Sequence, residues 1–586
     1  MCGIAGIACL PGHKPDPVLL KRMAQALRHR GPDGEGFYET GSAALVHRRL
    51  SIVDLEGGAQ PLIQGATALV ANGEIYNDPA LRQTLADEPF KTGSDCESPL
   101  FLWPLSDTQY TFELRGMYAI ALLDGGGPQT VVALSRDPFG IKPLYYAQIQ
   151  SGVIFASEPQ VLLATDLLPR SIRPEARDQL LQAQFVAGRE TIYPGIMRVL
   201  PGETLRFVDG VLDQARKQPA FHGKIDKSLT EETALARLDA ALMDSVQAHE
   251  RADVPFGMFL SGGIDSSAVL AAMTRLGNGA PLAWTARFDT GAIDESAQAA
   301  ELARTLGAQH HVLTVTEAMV WRHLPQIVAC LDDPVADYAV IPSWFLAREA
   351  RKDVTVILSG EGGDELFGGY GRYRRAMRPW WRGGRLPWRR GMMDGICPLA
   401  TGRKWREAFA PQYEETRLRS VQALDLREWL PNDLLIKLDR CLMAHAIEGR
   451  TPLLDPAVSA LAWSLPDSLK VQGKHGKYLM RRWVEKNVPG ATPFAPKQGF
   501  TVPVGEWIAA QGARLGPLVA DSAAFKGLVA PETIKALFTR AEGRRERHAA
   551  WALLFYALWH RIHIETGSFE GDVFETLAYS GTGSRN

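Results

Sequence analysis

Two hydrophobic periodicities divide this chain, and they specify different kinds of sheet. From about residue 230 apolar strands alternate with amphipathic helices. TEETALARLDAALMDSVQAHER (230–251) leads into the strand VPFGMFL (254–260) and the helix AVLAAMTRL. The strand LAWTARFD, the helix DESAQAAELARTLG, the strand HHVLTV, a long helical region and the strand VTVILSG follow. This alternation predicts a doubly wound parallel α/β sheet, a fold that takes ligands at the carboxyl ends of its strands. Before about residue 200 the chain instead offers short β-prone runs cut by Gly, Pro and Asp. CGIAGIA, AALVHRRLSIVD, TALVANGEIY, MYAIALLD, TVVALSRD and GVIFAS are the strands, with PVLLKRMAQALRH and PALRQTLAD the clear helices. That mixture predicts an α+β domain of layered antiparallel sheets.

The expected organisation is therefore a domain over 1–205, a second over 230–515, and a helical C-terminal extension of no assigned role over 516–586. The polar, weakly patterned stretch from about 205 to 230 is the expected linker. With 586 residues, 46% of them hydrophobic and 22% charged, the chain is too long for one core and too apolar for disorder. Its formal net charge of -2 gives no bulk attraction to nucleic acid or anionic membrane. No uninterrupted apolar stretch reaches the ~18 residues that a membrane span needs, and no basic segment precedes the apolar start. We expect a cytoplasmic protein acting on small molecules, with no nucleic-acid or membrane partner. The six cysteines (Cys2, Cys9, Cys96, Cys330, Cys397, Cys441) lack the CxxC or CxH spacing of a metal site or redox pair.

Cys2 becomes the amino terminus once Met1 is removed. Its own α-amine, with an ordinary pKa of about 7.7–8, could then act as the base for its thiol. A cysteine at this position, taken alone, is more often a small apolar filler. Its company changes the reading, because acyl transfer needs an oxyanion hole and handles for the substrate. ANGEIYN supplies the Asn72 amide and the unobstructed N–H of Gly73. Arg49 could pair with a carboxylate, and Asp95 could hold an ammonium.

A second constellation is SGGIDSS, Ser261 to Ser267, between a strand and a helix start. Glycine N–H groups, hydroxyls and the helix dipole there suit phosphate, and the missing lysine excludes a Walker A loop. LSGEGGDELFGGY (358–370) follows the strand VTVI and gathers Glu361, Asp364 and Glu365 beside small residues. Carboxylates so placed would repel ATP unless a hard cation such as Mg²⁺ bridged them to phosphate. The basic, Trp-rich stretch RRAMRPWWRGGRLPWRR (374–390) has the cations and rings of a nucleic-acid contact. The balanced net charge favours a surface loop packing its tryptophans on neighbouring helices.

MCGIAGI, RHRGPD, HRRLSIVD, ANGEIYN and TGSDCE resemble the glutaminase domain of class II glutamine amidotransferases, with the order and spacing of glutamine-hydrolysing asparagine synthetases. The resemblance implies a layered αββα N-terminal-nucleophile hydrolase fold. It also implies Cys2 as nucleophile, Asn72 and Gly73 as oxyanion hole, and Arg49 and Asp95 as grips on glutamine. Leu50, Ser51, Ile52, Val53 and Glu74 would line the same pocket. SGGxDSS resembles the pyrophosphate loop of ATP pyrophosphatases, which cleave ATP between its α and β phosphates. Leu260, Ser261, Gly262, Gly263, Asp265, Ser266, Ser359 and Gly360 would then contact ATP, with Phe288 beside the adenine. Asp265 and Asp364 would hold Mg²⁺. DLLIKLDRCLMAHAIEGRTPLLD, KHGKYLMRRW and PKQGFTVPVGEW match the family's helical region. Lys477 is thereby implied as the stabiliser of phosphate charge and Glu361 as the group assisting ammonia attack. Arg450 is expected to lock the fold through an ion pair, and Gly449 before it is smaller than the family's usual residue. The implied substrates are glutamine, ATP and aspartate, with a homodimer as the assembly. No motif marks the acceptor pocket, so a related amidotransferase or amide-forming ligase acting on another carboxylate stays open.

Overall fold

The computed structural model describes residues 2–289, 295–382, 384, 390–400, 402, 404–410, 412–495, 502–540, 543–566, 569 and 571–579. Two six-stranded antiparallel sheets make up the N-terminal domain. In the first, Gly3–Cys9 lies between Gly152–Ala156 and Ala43–Arg49. In the second, Thr67–Ile75 pairs with Gly116–Asp124 along its whole length. All seven residues of Gly3–Cys9 are buried, which explains why the run is continuously apolar. Alternation still sorts them: Ile4 and Ala8 join the core between the sheets, whereas Ala5, Ile7 and Cys9 face the helices. On the second sheet Ala68 and Val70 enter the same inter-sheet core, and Leu69, Ala71 and Ile75 face the helix Ser98–Ser106 side. The expected layered αββα domain is observed.

The expected linker is partly sheet. Glu203–Val208 and Val211–Lys217 form a hairpin that extends the second sheet, so that domain's strands run on to Lys217 rather than ending near 205. Val211–Lys217 is the edge strand and is largely exposed, so its sequence is polar and reads as a connector.

The C-terminal domain carries a five-stranded parallel sheet. Its order is Gln309–Val315, Leu282–Phe288, Phe256–Phe259, Val356–Leu358, Glu448–Arg450. The chain starts at the centre, moves outward to one side, then returns and fills the other. The switch point lies between Phe256–Phe259 and Val356–Leu358. Met258, Ala283, Val356 and Leu358 meet the helix Ile264–Leu276 on one face; Trp284, Ala286 and Ile357 meet Glu317–Ala329 and Val340–Ala350 on the other. Both faces are covered, as the doubly wound reading requires.

The last helices are not an appendage. Arg544–His560 buries Ala549 to Trp559 without interruption, and Trp551 and Trp559 donate to the Ala336 and Leu331 carbonyls at 2.7 and 2.9 Å. A helix apolar on all sides has to be an interior helix, and this one completes the core that Ile7 and Trp284 share. No helix among the described residues is long and apolar enough to cross a membrane.

Candidate active sites

Strand parity builds the first site. Cys2, just before Gly3–Cys9, has the parity of Ile4 and so lies on the inter-sheet side; Asn72 and Glu74 have the parity of Ala68 and Val70. His47 and Arg49 have that of Leu45, which also enters the inter-sheet core. All these side chains therefore meet at one end of the seam between the sheets. The Cys2 N–H donates to Asn72 Oδ1 at 3.0 Å, and the thiol faces the Leu50 carbonyl at 3.9 Å. Asn72 is fully buried and its Nδ2 has no hydrogen-bond partner among the described residues. An unsatisfied buried amide donor beside a thiol is costly unless a ligand oxygen completes it. Gly73 has a steric reason to be glycine, since a Cβ there would stand 2.1 Å from the Met117 carbonyl oxygen on the neighbouring strand.

The loop after Ala43–Arg49 makes the pocket wall. The expected strand over 43–54 stops at Arg49, whose guanidinium donates to the Asp54 and Leu55 carbonyls at 2.5 and 3.0 Å. Asp253 accepts from the Asp54 N–H at 2.7 Å and donates its own N–H to Ile52. The Leu50 to Asp54 loop is thus moored to the other domain. Asp95 accepts the Ile75 N–H at 2.6 Å, and burial raises its carboxyl to about 6. Burial pushes Glu74 well above the carboxylate range, Asp95 adds to that, and Arg450 opposes it. Burial likewise pushes the Cys2 thiol up, with Arg49 pulling the other way.

The second site sits at the switch point. Leu260, Ser261, Gly262, Gly263, Asp265, Ser266, Ser359, Gly360, Glu361, Asp364 and Lys477 all line one cavity of about 440 Å³. Ser266 and Ser267 hydroxyls donate back to the Gly263 carbonyl at 3.1 and 2.7 Å, folding the loop under the helix start. Lys477 Nζ lies 2.5 Å from Asp265 and 2.8 Å from Asp364. Burial works against the Lys477 charge, but the two carboxylates outweigh it and raise its pKa. Glycines make room for this cluster: a Cβ on Gly363 would fall 2.4 Å from Asp265, and one on Gly369 would fall 1.8 Å from Asp364. Two carboxylates converging on one cation are a hard-oxygen donor pair that fits Mg²⁺ once phosphate oxygens complete it, the ammonium standing in for the ion. Burial raises the Glu361 carboxyl, and Lys437 acts against that.

One expected contact is absent. Phe288 does not line the cavity; its ring packs edge-on against Trp507 with centroids 5.7 Å apart. Phe288 lies at the end of Leu282–Phe288, beyond the cavity wall, which Thr285 and Ala286 supply instead. Residues without a signal of their own also join the sites. Arg481 and Lys437 line the cavity. Arg30, within the RHRGPD motif, donates to the Cys2 carbonyl at 3.1 Å and pairs with Asp439 across the domains at 2.7 and 3.0 Å.

Between the sites runs Glu448–Arg450. Arg450 reaches Glu74 at 3.2 Å and Glu448 at 2.6 Å, and its carbonyl accepts the Ser359 N–H at 2.9 Å. Lys142 donates to the Gly449 carbonyl at 3.1 Å. The expected ion pair of Arg450 is therefore present, and it joins two domains. Gly449 is small because Leu442 and Leu438 occupy the space, the nearest methyl standing 3.0 Å from where a Cβ would lie.

An antiparallel double sheet ending in a thiol, joined to a parallel sheet with a glycine-rich loop at its switch point, defines a two-site α/β protein. A family model for a glutamine amidotransferase domain matches residues 1–217, and the asparagine synthase model matches 237–561. The chain belongs to the asparagine synthase family. It is 32% identical to asparagine synthetase [glutamine-hydrolyzing] 1 of Bacillus subtilis (strain 168), over 96% of this chain and 97% of that protein. It is 33% identical to a putative asparagine synthetase of Mycobacterium tuberculosis (strain H37Rv), over 96% and 98%. To asparagine synthetase B of Escherichia coli (strain K12) it is 29% identical, over 87% and 83%.

Proposed function

We propose that the chain makes asparagine from aspartate, glutamine and ATP. The Cys2 thiolate attacks the glutamine carboxamide carbon, its proton going to the α-amine freed by removal of Met1. The resulting oxyanion takes hydrogen bonds from Asn72 Nδ2 and the Gly73 N–H. The Cys2 α-ammonium returns that proton to the leaving nitrogen as the oxyanion collapses, so ammonia departs and a glutamyl thioester remains, which water hydrolyses to glutamate. Asp95 holds the α-ammonium of glutamine, and Arg49 shapes the loop that receives its carboxylate.

At the second site a carboxylate oxygen of aspartate attacks the α-phosphorus of ATP, pyrophosphate leaves, and an acyl-AMP forms. The Leu260 to Gly263 loop, Ser266, Ser359 and Gly360 hold the nucleotide, and Lys477 balances the charge that develops on its phosphates. Asp265 and Asp364 would hold Mg²⁺, which supplies further neutralisation of the departing phosphates. Ammonia then attacks the acyl carbon, Glu361 takes its excess proton, and AMP leaves as asparagine forms. The ammonia passes internally, because the ammonium that forms in neutral water has no lone pair to attack with.

The observation that carries this reading is the shared strand: Arg450 contacts the Cys2 pocket through its side chain and the nucleotide loop through its backbone. Product identification with glutamine, ATP, Mg²⁺ and aspartate tests it. Asparagine, glutamate, AMP and pyrophosphate are expected. ADP in place of AMP, or ATP/pyrophosphate exchange that needs a carboxylate other than aspartate, overturns it.

A further inference from the structure

The basic stretch that neither site absorbs forms one wall of a second cleft. This cleft, of about 820 Å³, is lined by Arg374, Met377, Arg378, Pro379 and Arg382 on one side and by Val471, Gly473 and Lys474 on the other. Four of these eight residues are cationic and none is acidic. No ion pair holds Arg374, Arg378, Arg382 or Lys474 among the described residues. In a chain whose net charge is -2, such a group is a local departure rather than a reflection of composition. Of its tryptophans, Trp381 is 68% exposed, and Trp388 lies outside the described residues.

Position gives the cleft its meaning. Its second wall is the hairpin of Val471–Gln472 and His475–Gly476, and the next residue is Lys477. Arg481, one turn further on, lines the nucleotide cavity, donates to the Gly476 carbonyl at 2.8 Å and lies within electrostatic reach of Arg374. Cationic side chains thus stand in the cavity at Lys477 and Arg481, beside Arg481 at Arg374, and along the cleft at Arg378, Arg382 and Lys474. The cavity itself is acidic around Asp265, Asp364 and Glu361. A polyanion released there moves toward lower energy along this track.

We propose that the cleft is a second polyanion site, specific for condensed phosphate, that receives the pyrophosphate leaving the nucleotide cavity. The inference rests on the proposed cleavage of ATP between its α and β phosphates. Four cations suit a multiply charged anion such as pyrophosphate, and the tip of the hairpin leaves open space at Gly473.

The test uses the full chain with Mg²⁺ and saturating α,β-methylene-ATP, which fills the cavity and is not cleaved. Calorimetric titration with inorganic pyrophosphate then reads the remaining site. One further equivalent is expected to bind, more weakly as salt rises. The double variant Arg378→Ala, Lys474→Ala should weaken this binding at least tenfold while leaving α,β-methylene-ATP affinity unchanged, which also reports that the variant is folded. Arg378→Lys with Lys474→Arg should restore it. In steady state the alanine pair should raise the inhibition constant for pyrophosphate several-fold without moving the KM for ATP. No second equivalent, equal binding by the alanine variant, or an unchanged inhibition constant overturns the proposal. So does a single-stranded RNA oligonucleotide that binds the cleft more tightly than pyrophosphate. Failure of α,β-methylene-ATP to bind would instead count against the nucleotide reading itself.

Discussion

The two sites of this molecule are organised by opposite means. Around Cys2 the groups are set by strand register: Asn72, Gly73 and Glu74 sit on one strand, Asn72 Oδ1 accepts from the Cys2 N–H, Glu74 pairs with Arg450, and Asn72 Nδ2 is left open in a buried seam among the described residues. Around Lys477 the groups come from the starts of three helices, and opposite charges hold them together. A register-built site is rigid before its substrate arrives. A charge-built site is poised to exchange one cation contact for another when phosphate and metal enter. The first site thus suits geometric precision, and the second redistribution of charge.

Removing the central group of each site separates them most sharply. Cys2→Ala should lower glutamine-dependent asparagine formation at least ~10³-fold, because a nucleophile has no substitute. Synthesis from added ammonia should stay near the parent rate. Glutamine-dependent synthesis persisting in this variant would break the assignment. Lys477→Ala should remove both activities by ~10²–10³-fold, the scale of losing one preorganised charge contact. ATP/pyrophosphate exchange measures that loss, and exchange at the parent rate would show that Asp265 and Asp364 need no cationic partner.

A smaller effect tests rigidity. Asn72→Ala should lower glutaminase kcat by ~10²-fold with the ammonia-dependent reaction unaffected, as expected for one oxyanion donor. An equal loss in both reactions would mean that Asn72 supports the fold rather than the oxyanion. The smallest effect is on pH. Burial raises Asp95 to about 6, and only its ionised form can hold an ammonium, so glutamine binding should weaken as pH falls through that value. The KM for glutamine should rise by up to ~10-fold per pH unit below about 6. KM for ATP measured over the same range should not share that inflection.

Much of this was legible in the chain itself. Periodicity distinguishes antiparallel from parallel sheets, and the motifs single out Cys2 and Asn72, which meet in one cluster, and Asp265 and Asp364, which meet in another. The hairpin at 203–217 escaped because an edge strand open to water carries polar residues and so imitates a linker. The C-terminal helices are hard to place from sequence for the opposite reason. WALLFYALWH is apolar on every side, and only its neighbours reveal that it fills the core under both domains. Phe288 ends a strand that can turn toward either of two elements, and here its ring packs against Trp507, distant in sequence.

Local patterns determine what depends on near neighbours: which runs become strands, which loops suit phosphate, and which residue types suit acyl transfer. Tertiary structure alone decided the pairings whose energy depends on burial at long sequence separation. Arg30 with Asp439 and Arg450 with Glu74 exist only because folding removes both partners from water, where such pairs are worth little. The same burial leaves Asn72 Nδ2 unsatisfied and brings Lys477 between two carboxylates. The sequence specified two chemistries, and the packing of one domain on the other placed a single strand between them.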